Sequence, residues 1–228
     1  MRNIIILIFF VITNAQIWES SFSAGNYDYN NNFMGGSEVL QLVSHKNRLF
    51  ASVSYWQDES NIWYGGSNSN IGWSQIISLD SPNGDWFVDL DLDSYHLRPE
   101  ILKEVIFTKS NDGSLLDSPD TLLVVGAFSS NYFFGPVTVS AFVRNDENDW
   151  NQTVIHQGDL PSTDESYSIR DMELYTDSVT GAEHLLISVG TKGIFSGKYN
   201  PNIEGKIEWD LEPEISSLNM RPLGIATA

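Results

Sequence analysis

The 228-residue chain contains no cysteine. Disulfides, thiolate zinc sites and cysteine nucleophiles are therefore excluded. Basic residues are scarce: 12 Lys and Arg stand against 30 Asp and Glu, for a formal charge of −18 and a pI near 4.3. A phosphate backbone needs the opposite sign, so nucleic acid is not an expected partner. Apolar runs long enough to cross a bilayer, which takes roughly 20 residues, are missing; the run Ile4–Ile12 has nine. No stretch sustains apolar residues at i, i+3, i+4 and i+7, so helix is expected to be scarce. There is no Gly-x-Ser-x-Gly motif and no glycine loop leading into a helix, which leaves serine-hydrolase and phosphate-loop chemistry without a local signature.

What is present begins with an address. Met1-Arg2-Asn3, the apolar run and then Thr13-Asn14-Ala15 have the layout of a secretory signal peptide over residues 1–15. Its removal leaves Gln16 at the new N-terminus, a secreted product and no membrane insertion. Asn151-Gln152-Thr153 is a sequon, so Asn151 is a glycosylation candidate in a eukaryotic host. Apolar residues make up 41% and aromatics 12%, enough for a packed core and unlike a disordered acidic chain.

Residues 16–37, rich in Ser, Asn, Gly and Tyr, read as a loosely held N-terminal arm. Beyond them, short apolar runs alternate with turn clusters, the pattern of an all-β chain. The runs fall into fours. Glu38–Ser44, Leu49–Tyr55, Trp73–Leu79 and Trp86–Leu92 form the first set. Ile101–Thr108, Thr121–Phe128, Val137–Arg144 and Trp150–His156 form the second. Ile169–Tyr175, His184–Val189, Gly193–Tyr199 and Lys206–Leu211 form the third, and Leu223–Ala226 reads as the start of a fourth. The second strand of each set is nearly continuous in apolar or small residues, as in Leu122–Phe128, which points to burial on both faces. A polar turn leads to a Trp in each set, at Trp86, Trp150 and Trp209, spaced by 64 and 59 residues. Four-stranded units at a regular period are the signature of a β-propeller.

These turns resemble the Asp-box hairpins of sialidase-like propellers, although none has the full Ser-x-Asp-x-Gly-x-x-Trp spacing. Gly193-Ile194-Phe195-Ser196-Gly197-Lys198-Tyr199-Asn200-Pro201, followed by Ile207-Glu208-Trp209, resembles a segment of uncharacterised secreted propeller-like proteins. The resemblance covers about 20 residues, implies the fold and brings no activity with it. The organisation expected is therefore a partial propeller over 38–228, with blades near 38–95, 96–160 and 165–215 and the start of another at 220–228. Propellers close with about four to eight blades. Three blades and one strand suggest a fragment of a longer propeller, or copies that self-associate through open blade faces; a β-sandwich of about twelve strands is the rival.

Candidate site residues are few. Trp56, Trp63, Tyr64 and Trp73 lie in and around the Gly/Asn/Ser-rich segment Gln57–Gly72, where aromatic rings on a loop suit ligand stacking; packing between blades is the alternative, above all for Trp56 and Trp73. Asp89, Asp91 and Asp93 alternate with apolar residues, and a strand's period of two places all three on one face. Successive members of such a row lie about 7 Å apart, too far for all three to hold one ion. An outer, solvated strand explains them better, and Ca²⁺ is the alternative cofactor. Asn111-Asp112-Gly113 with Asp117 and Asp120 lacks EF-hand spacing and reads as a turn. His45, His96, His156 and His184 form no local pair for zinc, and His184 reads as a core residue. With 30 acidic residues, carboxylate pairs spaced for glycoside hydrolysis have no discriminating power.

The function expected is an acidic, secreted, non-catalytic propeller-type module that binds a protein or a glycan and needs no cofactor. The alternative is an extracellular propeller hydrolase, glycoside-type or calcium-assisted, with its site in missing blades. The first test concerns the leader. N-terminal analysis of secreted protein should begin near Gln16; Met1 on soluble intracellular material would overturn both the leader and the compartment.

Overall fold

The computed structural model describes residues 20–54, 74–93, 95–130, 136–158, 166–216 and 220–227. The described residues contain no helix. A two-residue hairpin, β1 (Asn26–Tyr27) and β2 (Phe33–Met34), precedes three four-stranded sheets. The first sheet is β3 (Glu38–His45), β4 (Arg48–Ser54), β5 (Gln75–Leu79) and β6 (Phe87–Asp91). The second is β7 (His96–Lys109), β8 (Leu115–Ser130), β9 (Val137–Arg144) and β10 (Trp150–Gly158). The third is β11 (Ile169–Thr176), β12 (Glu183–Val189), β13 (Gly193–Tyr199) and β14 (Ile207–Trp209). Each sheet is an antiparallel meander in chain order. The three sets of four read from the sequence are these sheets, with ends shifted by a few residues.

The sheets stack face to face in series. Phe50, Ile76 and Leu92 of the first sheet pack on Leu102, Leu123, Val125, Ala127 and Phe142 of the second. On its other face the second sheet meets the third: Leu122, Val124, Val139 and Val143 pack with Ile169, Met172, Leu185, Ile187 and Phe195. Strand β8 thus sends alternate residues into two cores, and Leu122 to Val125 are at most 2% exposed. Three layers in series replace the two facing layers of a sandwich.

The first strands of the sheets are neighbours and run parallel. Gln41 Oε1 accepts from Leu102 N at 2.6 Å and His45 Nδ1 lies 2.8 Å from Glu104 Oε2. One interface further, Glu100 accepts from Ile169 N, and Lys103 Nζ donates to Met172 O at 2.8 Å. Pairing thus advances in the same sense along β3, β7 and β11. All three strands break register near the same end, at Val39/Gln41, at Pro99/Ile101 and at Ile169/Met172. Each of these strands is the edge of its sheet, so alternate N–H groups point outward, and at Leu102 and Ile169 the neighbouring sheet supplies a side-chain acceptor.

At the outer strands the recurring Trp acts as a tether. Trp150 Nε1 donates to Asp89 Oδ2 of β6 at 2.8 Å, and Trp209 Nε1 donates to Thr153 Oγ1 of β10 at 3.0 Å. Asp89 and Thr153 are each the third residue after the Trp of their own sheet. Trp86 of the first sheet makes the equivalent bond to Ser21 Oγ of the arm, at 3.2 Å. The repeat in the sequence therefore has a physical basis: a buried indole N–H needs an acceptor, and the layer before provides it.

Two expectations change. The arm is packed rather than loose: Met34 joins Ala51, Val53, Ile77 and Trp86 in a third core, with Phe22 against it. Asp28 Oδ2 accepts Val88 N at 3.0 Å, and Gln75 Nε2 donates to Phe33 O at 2.9 Å. The outer face of the first sheet is thus covered. Residues Leu223–Ala226 form no strand; Ile225 N donates to the Asp171 side chain of β11 at 2.7 Å rather than to its backbone. Ile215 bridges Ile194 of β13, so the terminal segment runs over the outer face of the third sheet, leaving a recess of about 740 Å³ beside His184, Leu186 and Ile225.

Gly126 of β8 sets the spacing between the second and third sheets. A Cβ there would stand 2.7 Å from Ile101 Cγ2 and 2.8 Å from Ile169 Cδ1, closer than side chains tolerate. Gly126→Val should lower unfolding stability by about 1–3 kcal/mol, measured by urea denaturation; an unchanged midpoint would show that the two sheets are less tightly apposed.

Candidate ligand-binding site

Meander topology with parallel first strands sorts the connections between strands. The turns β3–β4, β5–β6, β7–β8, β9–β10, β11–β12 and β13–β14 gather at one end, termed the turn end. The connections β4–β5, β6–β7, β8–β9, β10–β11 and β12–β13 leave from the other, the loop end. The turn end is closed by tight geometry and by ion pairs. Lys46 and Asn47, with φ of 46° and 64°, make the two-residue turn of the β3–β4 hairpin, and Lys46 pairs with Asp146. The loop end is where chain is spent: residues 55–73 join β4 to β5, and 159–165 lie between β10 and β11.

The four aromatic candidates, Trp56, Trp63, Tyr64 and Trp73, lie outside the described residues. The segment carrying them leaves the first sheet at Ser54 and re-enters at Ser74, both buried at the loop end.

The acidic candidates are described, and they diverge. β6 has a bulge between the partners of Ile76 and Ile77, so Val88 and Leu90 pair with successive residues and Asp89 is the extra one. Val88 packs toward the arm and Leu90 toward the second sheet. Asp89 faces the second sheet, where it accepts from Arg144 Nε at 2.7 Å, Arg144 Nη2 at 3.0 Å and Trp150 Nε1 at 2.8 Å. Its side chain is 5% exposed. Asp91 accepts from Gln75 Nε2 at 3.2 Å, on the arm side. Asp93 caps the turn into β7, accepting from Tyr95 N at 2.9 Å and lying 2.8 Å from His96 Nδ1. The row of three on one face, read from the period of two, is thus broken by one inserted residue. Asp89 is the anion of an inter-sheet clamp, not one of a solvated row. Among the described residues no group of three or more His, Asp or Glu converges as metal ligands.

The histidines are equally dispersed. His45 meets Glu104, and burial pushes its imidazole below the ordinary value while Glu104 pulls the other way. His184 Nδ1 lies 2.9 Å from Ser196 Oγ, and His156 stacks on Tyr167 with centroids 6.0 Å apart. Asn151 starts the outer strand β10 and lines a recess of about 490 Å³ with Asn202 and Glu204 of the β13–β14 turn. Asp112, in the Asn111–Gly113 turn, accepts from Ser114 N at 2.9 Å and from Ser110 Oγ, as a turn carboxylate does.

Sequence reasoning missed a cluster at the loop end. Arg98 and Glu100 lie at the start of β7, Arg170 at the start of β11 and Arg221 on the terminal segment. Glu100, whose side chain is 1% exposed, accepts from Arg98 Nε at 3.2 Å with one oxygen and from Ile169 N with the other. Arg221 Nη2 donates to Ser168 Oγ at 2.6 Å, and Ser168 Oγ lies 3.1 Å from Ser166 Oγ. Arg98, through Glu100 and Ile169 N, and Arg221, through Ser168, are thus tied to the segment that carries Arg170. Burial raises the Glu100 carboxyl to about 7 against the pull of Arg98, the Ile169 N–H and Arg170. Arg170 is pushed below its ordinary value by partial desolvation and then by repulsion from Arg221 and Arg98, with Glu100 opposing. The members stand 51 to 72 residues apart in the chain (98, 170, 221). The one local signal, Arg98-Pro99-Glu100, sat just before the strand start read at Ile101.

No family model, curated protein or solved structure matches the chain.

The buried carboxyl gives a signed pH effect. Folded Glu100 keeps its proton up to about 7, whereas unfolded Glu100 loses it near 4.5. The folded state binds more protons in that window, so its stability falls as pH rises through it. Relative to Glu100→Gln, the wild type should lose about 3 kcal/mol between pH 4.5 and 8. Denaturant titrations at the two pH values measure this, and a difference that does not move with pH would place the Glu100 titration outside the window.

Proposed function

We propose that the mature chain is a secreted, propeller-type binding module that engages a protein or glycan ligand through its loop end. The observation that carries the reading is the parallel run of β3, β7 and β11, which delivers the long connections and the arginine cluster to one end. Binding residues generally sit on loops held by a rigid scaffold. Three stacked four-stranded meanders, with first strands adjacent and Trp tethers outside, support the propeller-type reading. The aromatics Trp56, Trp63, Tyr64 and Trp73 belong to the longest of these connections.

A hydrolase reading has one observation in its favour, the Glu100 carboxyl raised to about 7, the range of a general acid. Both of its oxygens are engaged, by Arg98 and by the Ile169 N–H, and its side chain is 1% exposed. A group so enclosed does not reach a substrate proton. Binding is therefore the better reading.

The test is a screen of the full secreted chain against glycan and peptide arrays, followed by affinities for the hits. Trp63→Ala and Lys192→Ala, both in loop-end connections, should weaken binding about tenfold or more, near 1.4 kcal/mol. Lys46→Ala at the turn end should leave it unchanged. The reverse pattern would overturn the loop-end assignment, and turnover of the ligand would replace the module with an enzyme.

A further inference from the structure

The cations of this acidic protein are mostly spoken for. Lys46 lies beside Asp146, Arg48 beside Asp80, Lys103 beside Glu173, Arg144 beside Asp89, Lys198 beside Asp210 and Lys206 beside Asp120. The loop-end cluster departs from that pattern. Among the described residues no carboxylate stands within ion-pair distance of Arg170 or Arg221. Among the described residues Glu100 is the carboxylate that meets the group, and it is shared between Arg98 and the Ile169 N–H. The next carboxylate along the strand, Asp171, is turned to the backbone, accepting Met172 N at 2.8 Å and Ile225 N at 2.7 Å.

Arg170 is repelled by Arg221 and Arg98, and Glu100 opposes that repulsion. Two of the forks are held by side-chain bonds, and the third is placed by its backbone. Glu100 fixes Arg98, the Ser168 hydroxyl fixes Arg221, and Arg170 is carried by the strand between Ile169, bonded to Glu100, and Asp171, bonded to Ser188. Guanidinium forks match oxyanions geometrically, offering paired N–H groups to two oxygens at once. Guanidiniums grouped on a protein of charge −18 also favour the approach of an anion at that place.

We propose that Arg98, Arg170 and Arg221 form an oxyanion-recognition site that takes a carboxylate, sulfate or phosphate group of the ligand bound at the loop end. The inference rests on the loop-end binding reading and names the chemistry that end selects.

The test uses the full secreted chain and three simple probes, acetate, sulfate and phosphate, titrated at constant ionic strength against chloride. Two-dimensional NMR of the arginine Nε–H resonances reads each guanidinium separately. Saturable shifts are expected for Arg98, Arg170 and Arg221. Arg144, bound to Asp89, and Arg48, beside Asp80, serve as internal controls and should stay still. Arg170→Gln and Arg221→Gln should each weaken the tightest probe about tenfold or more. Because Arg170→Gln relieves repulsion, its melting temperature should equal or exceed that of the wild type, which separates lost binding from lost folding. The tightest probe assigns the source, acetate to a carboxylate ligand and sulfate or phosphate to a tetrahedral one. No saturable shift with any probe, or shifts equal to those of Arg48 and Arg144, would overturn the oxyanion site. The array hits and their dependence on Trp63 and Lys192 would remain, so failure here is distinct from failure of the loop-end module.

Discussion

Strand β7 is shared by two interfaces, and the architecture depends on how its irregular end is satisfied. A strand buried against sheets on both sides cannot leave a backbone N–H unpaired, since each orphan costs about 1–3 kcal/mol. β7 and β11 are edge strands, whose outward N–H groups have no partner in their own sheet; Leu102 N is accepted by Gln41 of β3, and Ile169 N by Glu100 of β7. Each layer therefore supplies an acceptor that its neighbour's edge strand requires. The sheets are locked in parallel register by polar bonds at their first strands and by Trp N–H bonds at their outer strands, with apolar packing between.

That constraint explains why a carboxyl is buried at the loop end. Glu100 is not a stray charge in a core, because its position follows from the Ile169 N–H it must accept. Once enclosed, its carboxyl is raised, and compensation comes from arginines brought to the same place. Arg98 answers Glu100 directly. Arg170 is drawn in because it follows the bonded residue, and Arg221 because Ser168 holds it. Positive charge thus gathers around the acceptor of one edge-strand N–H, and the oxyanion proposal starts from that grouping.

The layout of the twelve strands was legible because their signal is local. Alternation fixes β9 and β13 to the residue, and the unbroken apolar run Leu122–Phe128 marks a strand with a core on each face. Trp86, Trp150 and Trp209 marked the repeat, and the indole tethers supply the reason. What was not legible depends on insertions and on distance. The bulge at Asp89 reverses the facing of everything before it relative to everything after it, and the period of two carries no trace of that. The arm has the composition of a loop, yet Met34, Phe22 and Asp28 find partners on a sheet face that would otherwise be bare. The arginine cluster unites residues 98, 170 and 221, and no window of sequence contains them.

The two ends of the stack differ in how they treat charge. At the turn end, side chains of adjacent layers come into direct contact, so Lys46 meets Asp146 and Lys206 meets Asp120 across the interfaces. Charges there are consumed in pairs. At the loop end the first strands approach through side-chain-to-backbone bonds, Gln41 to Leu102 N and Glu100 to Ile169 N. Side chains there are positioned by backbone needs instead of by opposite charges on facing hairpins. Lys46, Arg48 and Lys206 at the turn end are paired with Asp146, Asp80 and Asp120, whereas among the described residues no carboxylate lies within ion-pair distance of Arg170 or Arg221 at the loop end. On the oxyanion proposal, that contrast is what would direct an anion to the loop end rather than the turn end.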